Sequence, residues 1–514
     1  MKSARIVVDG DERLGLIDRS LYGVRCGPQF VETQDLIWVG EKPIPNDDGV
    51  RVDTTEALRA LSIGYMSAIG GTFYHWQDGV GPRQERPLRV NWWARSPFEA
   101  VELPWPMDFG TDEFVRFCRM SGAEPMMICN EEEPEGSRRW LEYCNYPGDS
   151  SLTRLRRAHG QPAPYGVRYW NVYGWLDLDP RVYAERYRQF ALAARLIDPE
   201  IELIAAGGDD GWNRSLFETL DDARTPNLGG SSLVDHLGQI IYTGASFPEV
   251  DYSDADYYRV LQNSAGLEGV IDGRIALVRA LTRDRKPWAS DLRGLNWIDR
   301  TDIGAPAVKL AFLEWGTRHS LHRQTMRDAV AHASMLDVFH RRLDSVSMAS
   351  HWIHLLLQCD GTRLWRTPTY HVFDLYRAHH GNTSVAVRLE CERIAGREAG
   401  REQDFAGGPA VADLAPLPLL SASASLSPDG ATTVLSVTNR HLTEEVRAAV
   451  SIPALGGAAQ AELATLTSRT VRDYNDASCP DRVRIERGPV TAEGAVVEVT
   501  LPPFSVNTLT LTTP

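Results

Sequence analysis

From about residue 50 to 385 the chain repeats one unit, an amphipathic helical stretch followed by a short apolar strand. "TEALRALSI" leads into "YMSAIGG", "TDEFVRFCRMSGA" into "EPMMICN", and "RVYAERYRQFALAARLID" into "IELIAAGG". "DYYRVLQNSAGLEGVIDGRIALVRALT" leads into "KPWASDL", and "SMASHWIH" reads as a later strand. Within the second unit Phe114, Phe117 and Cys118 fall on one helical face. Strands separated by crossover helices lie parallel, because each helix returns the chain to the starting end of the sheet. The number of units predicts an α/β fold, a (β/α)8 TIM barrel rather than an open sheet.

After "YHVFDLYRAHHG" the texture changes to short β segments punctuated by Gly, Pro, Asp and Asn, such as "SASLSPDGATTVLSVTNR" and "AVVEVTLPPFSVNTLTLT". That pattern predicts an appended C-terminal β-sandwich. The expected organisation is a barrel over 26–385 and a sandwich over 386–514. The β-rich "ARIVVD" within 1–25 is a candidate extra strand of the sandwich. A net charge of −15 argues against a nucleic-acid partner, since nothing would neutralise phosphates along an extended surface. No apolar run reaches the roughly 20 residues of a membrane span. Seven scattered cysteines, an odd number without CxxC pairs, read as reduced thiols of a cytoplasmic protein, and no metal site or cofactor is expected.

Several longer segments carry a resemblance. "LIWVGEKPIPNDDGVRVDTTEALRAL", "GGTFYHWQDGVGPRQERP", "FGTDEFVRFCRMSGAEPMM", "LEYCNYPG", "LRRAHGQPAPYGVRYWNV" and "RTPTYHVFDLYRAHHG" together resemble the α-L-arabinofuranosidases of glycoside hydrolase family 51 over nearly the whole length. The resemblance implies the barrel-plus-sandwich fold, a small sugar-like substrate and assembly into homo-oligomers. It also implies a retaining reaction with two glutamates about 5 Å apart, one acid/base and one nucleophile.

The acid/base of that family stands in a W-x-x-G-N-E stretch after strand four. Here the register reads Trp170-Asn171-Val172-Tyr173-Gly174-Trp175, so the glutamate is replaced by Trp175. The nucleophile stands in a D-E-W-N stretch after strand seven. With "KPWASDL" as strand seven, Asp291-Leu292-Arg293-Gly294 fills that register and the glutamate is replaced by Leu292. The family's Y-G-H-F-I-E becomes Tyr22-Gly23-Val24-Arg25-Cys26-Gly27, losing a sugar-binding glutamate. Trp76, Asp78, Asn130 and Tyr242 persist as scaffold and substrate-binding candidates.

With both glutamates gone, catalytic groups are sought among polar residues at strand C-termini, where barrels build their sites. Glu131, Glu132, Asp209 and His351 are the catalytic candidates. The acidic run Glu131–Glu133 also reads as a solvated helix start, and Asp209 as a turn residue. His351 has the residue type of a general acid/base, yet a single histidine is as readily structural. Tyr173, Trp175, Asp177 and Arg293 join the substrate-binding set, the aromatics as a stacking platform for an apolar or planar ligand. Arg293 would hold an anion or pair with a nearby acid.

Acids confined to strands three to five would crowd one side of the pocket. That favours non-hydrolytic acid/base chemistry (elimination, cyclisation or isomerisation) on a sugar-derived or biosynthetic small molecule, with ordinary arabinofuranosides left untouched. The alternatives are a glycoside hydrolase with relocated carboxylates and a non-catalytic sugar-binding or scaffold protein.

Overall fold

The computed structural model describes residues 1–27, 33, 35–72, 74–90, 104–174, 178–222, 233–244, 248–283, 307–317, 323–394, 416–452, 460–493 and 496–513. Eight parallel strands close into a barrel. In chain order they are Gly23–Arg25, Tyr65–Gly70, Glu124–Cys129, Tyr169–Val172, Glu202–Ala205, His236–Tyr242, Lys309–Gly316 and Val346–Trp352, here barrel strands one to eight. Strand eight pairs with strand one through Ser350–Gly23 and Trp352–Arg25, which completes the ring. The first strand thus lies ahead of the boundary expected at residue 26.

Strand alternation divides the side chains between interior and helix layer. Tyr65, Met126, Tyr169, Ile204, Ala311, Leu313 and Met348 form one cluster that fills the interior. Their neighbours turn outward: Trp170 packs edge-on against Trp140 of the helix Pro134–Asn145, and Phe312 packs at a tilt on Phe339 of the helix Met326–Arg341. The helix ahead of strand seven, Asp254–Leu281, runs 28 residues.

Strand seven corrects the sequence reading. Strand six pairs directly with Lys309–Gly316, which takes the strand-seven place that the sequence reading gave to "KPWASDL". That segment, with Asp291, Leu292 and Arg293, lies outside the described residues. The error came from taking the first apolar stretch after a long helix, although "KLAFLEWG" is the longer and more continuous apolar run.

The C-terminal domain is a ten-stranded sheet with its own apolar core, including Ile6, Val8, Leu420, Leu435, Val450 and Leu509. The N-terminal strand Lys2–Leu16 sits inside it, antiparallel to Thr383–Cys391 and parallel to Val446–Ser451. Asp337 and His340 of the helix Met326–Arg341 bond to Ser423 of this sheet at 2.7 and 3.1 Å, fixing the sheet on the barrel. All seven cysteines are free. Among the described residues no helix is long and apolar enough to cross a membrane, and no cluster of metal-ligating side chains occurs.

Candidate active site

The C-terminal ends of strands one, six and eight bring three side chains together around a carboxylate. Strand seven carries it. Gln239 pairs with Phe312 and Ile240 with Glu314, so Leu313 is an extra residue in the ladder. A bulge of this kind re-aims side chains. Leu313 joins the barrel interior, Trp315 packs outward on Phe339 and Phe373, and Glu314 turns inward, 8% exposed.

Glu314 is fully engaged. Oε1 lies 3.0 Å from Nε of Arg25 on strand one. Oε2 accepts from the Tyr242 hydroxyl of strand six at 2.5 Å and from Nε1 of Trp352 on strand eight at 3.3 Å. The Trp352 indole also donates to the Tyr242 oxygen at 3.0 Å. Burial and the adjacent Glu314 carboxylate push the Tyr242 phenol well above its ordinary range, so it stays a donor. Burial works most strongly against the charge on Arg25, but Glu314 together with Tyr173, Tyr242 and Cys26 outweighs it and the guanidinium is held above its usual value. That guanidinium lies 5.1 Å from the Trp352 ring and 5.9 Å from the ring of Tyr173.

Across the barrel mouth, strand three ends at Cys129 and Glu131 turns back inside, 2% exposed. Its Oε1 accepts from the Thr72 hydroxyl at 2.5 Å, and its buried Oε2 has no partner among the described residues. Burial pushes the carboxyl above its ordinary range, against the pull of the Thr72 hydrogen bond. Thr72 reaches this place because strand two ends at Gly70 and is followed by Gly71, with φ of 116° and 86°. A Cβ on Gly70 would stand 1.8 Å from the carbonyl oxygen of Ile128, so only glycine fits there. The charges of both Glu314 and Glu131 act on the Tyr173 phenol.

Other sequence candidates are placed differently. Glu132 is exposed, its amide bonded to Asn130 Oδ1 at 3.0 Å, so Asn130 shapes the turn. Asp209 is exposed and caps the helix Asp210–Leu220, accepting from the Trp212 amide at 2.8 Å; its short side chain is spent on the helix end. His351 faces the helix layer, fully buried, with Nδ1 2.7 Å from the Trp315 carbonyl oxygen and its ring 4.6 Å from that of His332. Alternation explains this: Trp352 points inward, so His351 points out. Trp76 packs on Tyr143 at 5.3 Å, and Asp78 pairs with Arg89 at 2.7 Å. Trp175, Asp177 and Arg293 lie outside the described residues.

Sequence reasoning missed Glu314 and Trp352, and saw Arg25 only as a departure. The signal was present: Leu313-Glu314-Trp315-Gly316 shares its Glu-Trp with the D-E-W-N stretch of the resembling family.

Comparisons with known proteins place the chain among arabinofuranosidase relatives. Residues 65–236 match the family model "Alpha-L-arabinofuranosidase 1 domain" and residues 309–505 match "Alpha-L-arabinofuranosidase C-terminal domain". The second match begins at strand seven. An intracellular exo-alpha-L-arabinofuranosidase of Bacteroides ovatus is 27% identical over 550 residues, covering 99% of this chain and 96% of that protein. Alpha-L-arabinofuranosidase C of Emericella nidulans is 34% identical over 261 residues, 47% of this chain and 50% of that one. In fold, the GH51 arabinofuranosidase of Xanthomonas axonopodis pv. citri aligns with a TM-score of 0.83 at 23% identity, over 99% of this chain and 100% of that chain. The Thermotoga maritima alpha-L-arabinofuranosidase, solved as an arabinose complex, aligns at 0.80 with 25% identity and the same coverage.

Proposed function

Starting from a chain that belongs to the glycoside hydrolase family 51-like proteins, we propose that it cleaves a furanoside with Glu314 as nucleophile and Glu131 as relocated acid/base. The observation that carries this is the pairing of two buried carboxyls from strands three and seven, on opposite sides of an eight-stranded ring. The preference for non-hydrolytic chemistry rested on acids confined to strands three to five. Glu314 removes that ground.

The two acids have complementary surroundings. Glu314 is oriented by Arg25, Tyr242 and Trp352, which suits a group that must attack one carbon from a fixed direction. Glu131 is desolvated, and its raised pKa suits an acid that is protonated before it meets the leaving oxygen. In the reaction proposed, Glu314 attacks the anomeric carbon while Glu131 gives its proton to the departing oxygen. The resulting glycosyl ester is then hydrolysed by a water that Glu131 deprotonates. With Trp175 in the register of the family's acid/base, this is a variant rather than a standard arabinofuranosidase. We place the protein in the cytoplasm, consistent with its seven free cysteines, and homo-oligomer formation remains part of the proposal.

The test is leaving-group dependence. Alkyl and 2,4-dinitrophenyl α-L-arabinofuranosides are compared in the native protein and in Glu131→Gln. Loss of a general acid lowers rates by about 10²–10⁴-fold, so the variant should lose that much with the alkyl glycoside and far less with the dinitrophenyl one. Unchanged turnover of the alkyl glycoside would contradict the assignment.

A further inference from the structure

We infer that the substrate is an acidic furanoside whose anionic group lies on the C2 side of the ring, next to the anomeric carbon, and that Arg25 is its anchor. This rests on Glu314 being the attacking carboxylate.

Arg25 is only 9% exposed, and among the described residues its only hydrogen-bonding or ionic partner is Glu314, which it meets through Nε. The forked end, with two Nη groups and four N–H donors, has no such partner. Nε is buried, whereas the Nη groups keep accessible surface and so stay open to a ligand. Here the guanidinium is held by the ion pair with Glu314 and flanked by Trp352 and Tyr173. Such a fork is the geometry that receives a carboxylate, sulfate or phosphate through two parallel hydrogen bonds.

The charge pattern points the same way. Relative to the Y-G-H-F-I-E stretch of the resembling family, this chain has Gly27 in place of the glutamate and Arg25 in place of the phenylalanine. A negative group is lost and a positive one gained within three residues. Glu131 opposes this least, because burial favours its neutral form.

Geometry sets where the anion sits on the sugar. Attack requires the anomeric carbon about 3–3.5 Å from a Glu314 oxygen. Nε of Arg25 is itself 3.0 Å from Oε1 of the same carboxylate. A group held by the Nη fork is therefore close to the carbon under attack, and the C2 substituent is the ring substituent bonded nearest to that carbon.

The test uses non-hydrolysable ligands, so that a failure of turnover and a failure of recognition are read separately. Binding of 1,4-anhydro-L-arabinitol, its 2-O-sulfate and its 5-O-sulfate to the full chain is measured by calorimetry. The 2-O-sulfate should bind at least tenfold tighter than the other two, and Arg25→Met should erase that advantage. Equal or weaker binding of the 2-O-sulfate, or an advantage undiminished in Arg25→Met, would overturn the inference. If Arg25→Met does not fold, Arg25→Lys decides, since it keeps the charge without the fork. A threefold or greater drop in the advantage supports the inference, and a smaller drop overturns it.

Discussion

Oε1 of Glu314 lies 3.0 Å from Nε of Arg25, a contact that reaches from barrel strand seven past strand eight to strand one. The indole of Trp352 on the intervening strand bonds to the other oxygen of the same carboxylate. Three consecutive strands of the ring therefore hold one carboxylate still, and the consequences for activity can be measured.

Replacing Glu314 by alanine should reduce turnover of an aryl furanoside by on the order of 10³-fold or more, as expected for a group that forms the covalent bond. Added azide should partly restore the rate by attacking from the vacated side. A variant that keeps a tenth of native activity would not fit.

Tyr242→Phe tests orientation separately. It removes one hydrogen bond to a charged acceptor, a contact worth about 1.5–3 kcal/mol. The expected result is a fall in kcat of about 10- to 100-fold with a smaller change in KM. A change confined to KM would place Tyr242 in binding alone.

The pH profile should show an alkaline limb from Glu131. Burial raises its pKa, so the protonated acid persists above the ordinary carboxyl range and activity falls as pH rises through the shifted value. With an activated substrate, which needs no acid, Glu131→Gln should remain active without this limb. An identical alkaline limb in the variant would assign it to another group.

Asp209→Ala should cost about 1 kcal/mol of stability and leave activity intact, because its side chain caps a helix. Thermal unfolding and a rate measurement on the same sample check both halves.

At the opposite end of the barrel, Glu202 bonds to Nε2 of His236 at 2.7 Å and pairs with Arg168. Burial pushes the Glu202 carboxyl up, but His236 and Arg168 outweigh it and hold it at about 2. A depressed carboxyl pKa contributes stability above the unfolded value of about 4.3 and loses it as pH falls toward the folded value. Glu202→Gln should therefore flatten the loss of stability between about pH 4.5 and 2, by a few kcal/mol. An unchanged acid-unfolding curve would show that the pair contributes nothing.

The barrel was legible because helix and strand periods alternate plainly from "TEALRALSI" to "SMASHWIH", and the β-rich tail announced the second domain. Strand seven was misplaced because the sequence between Leu281 and Lys309 contains a short apolar stretch that periodicity alone accepts as a strand. The assignment of the nucleophile register to Leu292 rested on that placement of strand seven. Glu314 could not be called inward-facing by simple alternation, since the extra residue at Leu313 shifts the phase of the ladder. His351 shows the converse: residue type suggested chemistry, whereas one position of strand register turned it into the helix layer. Glu131 was separable from Glu132 only in three dimensions, where the turn after Cys129 buries one carboxyl and exposes the other.

The central claim is that Glu314 forms the bond to the sugar. A furanose-configured cyclophellitol aziridine, which alkylates the nucleophile of retaining enzymes, can be incubated with the protein and the labelled peptide sequenced by mass spectrometry. The account predicts one added label, on Glu314 of the peptide that contains "LEWG", absent from Glu314→Ala. A label on any other residue, or a protein that turns over furanosides yet takes no label, would contradict it.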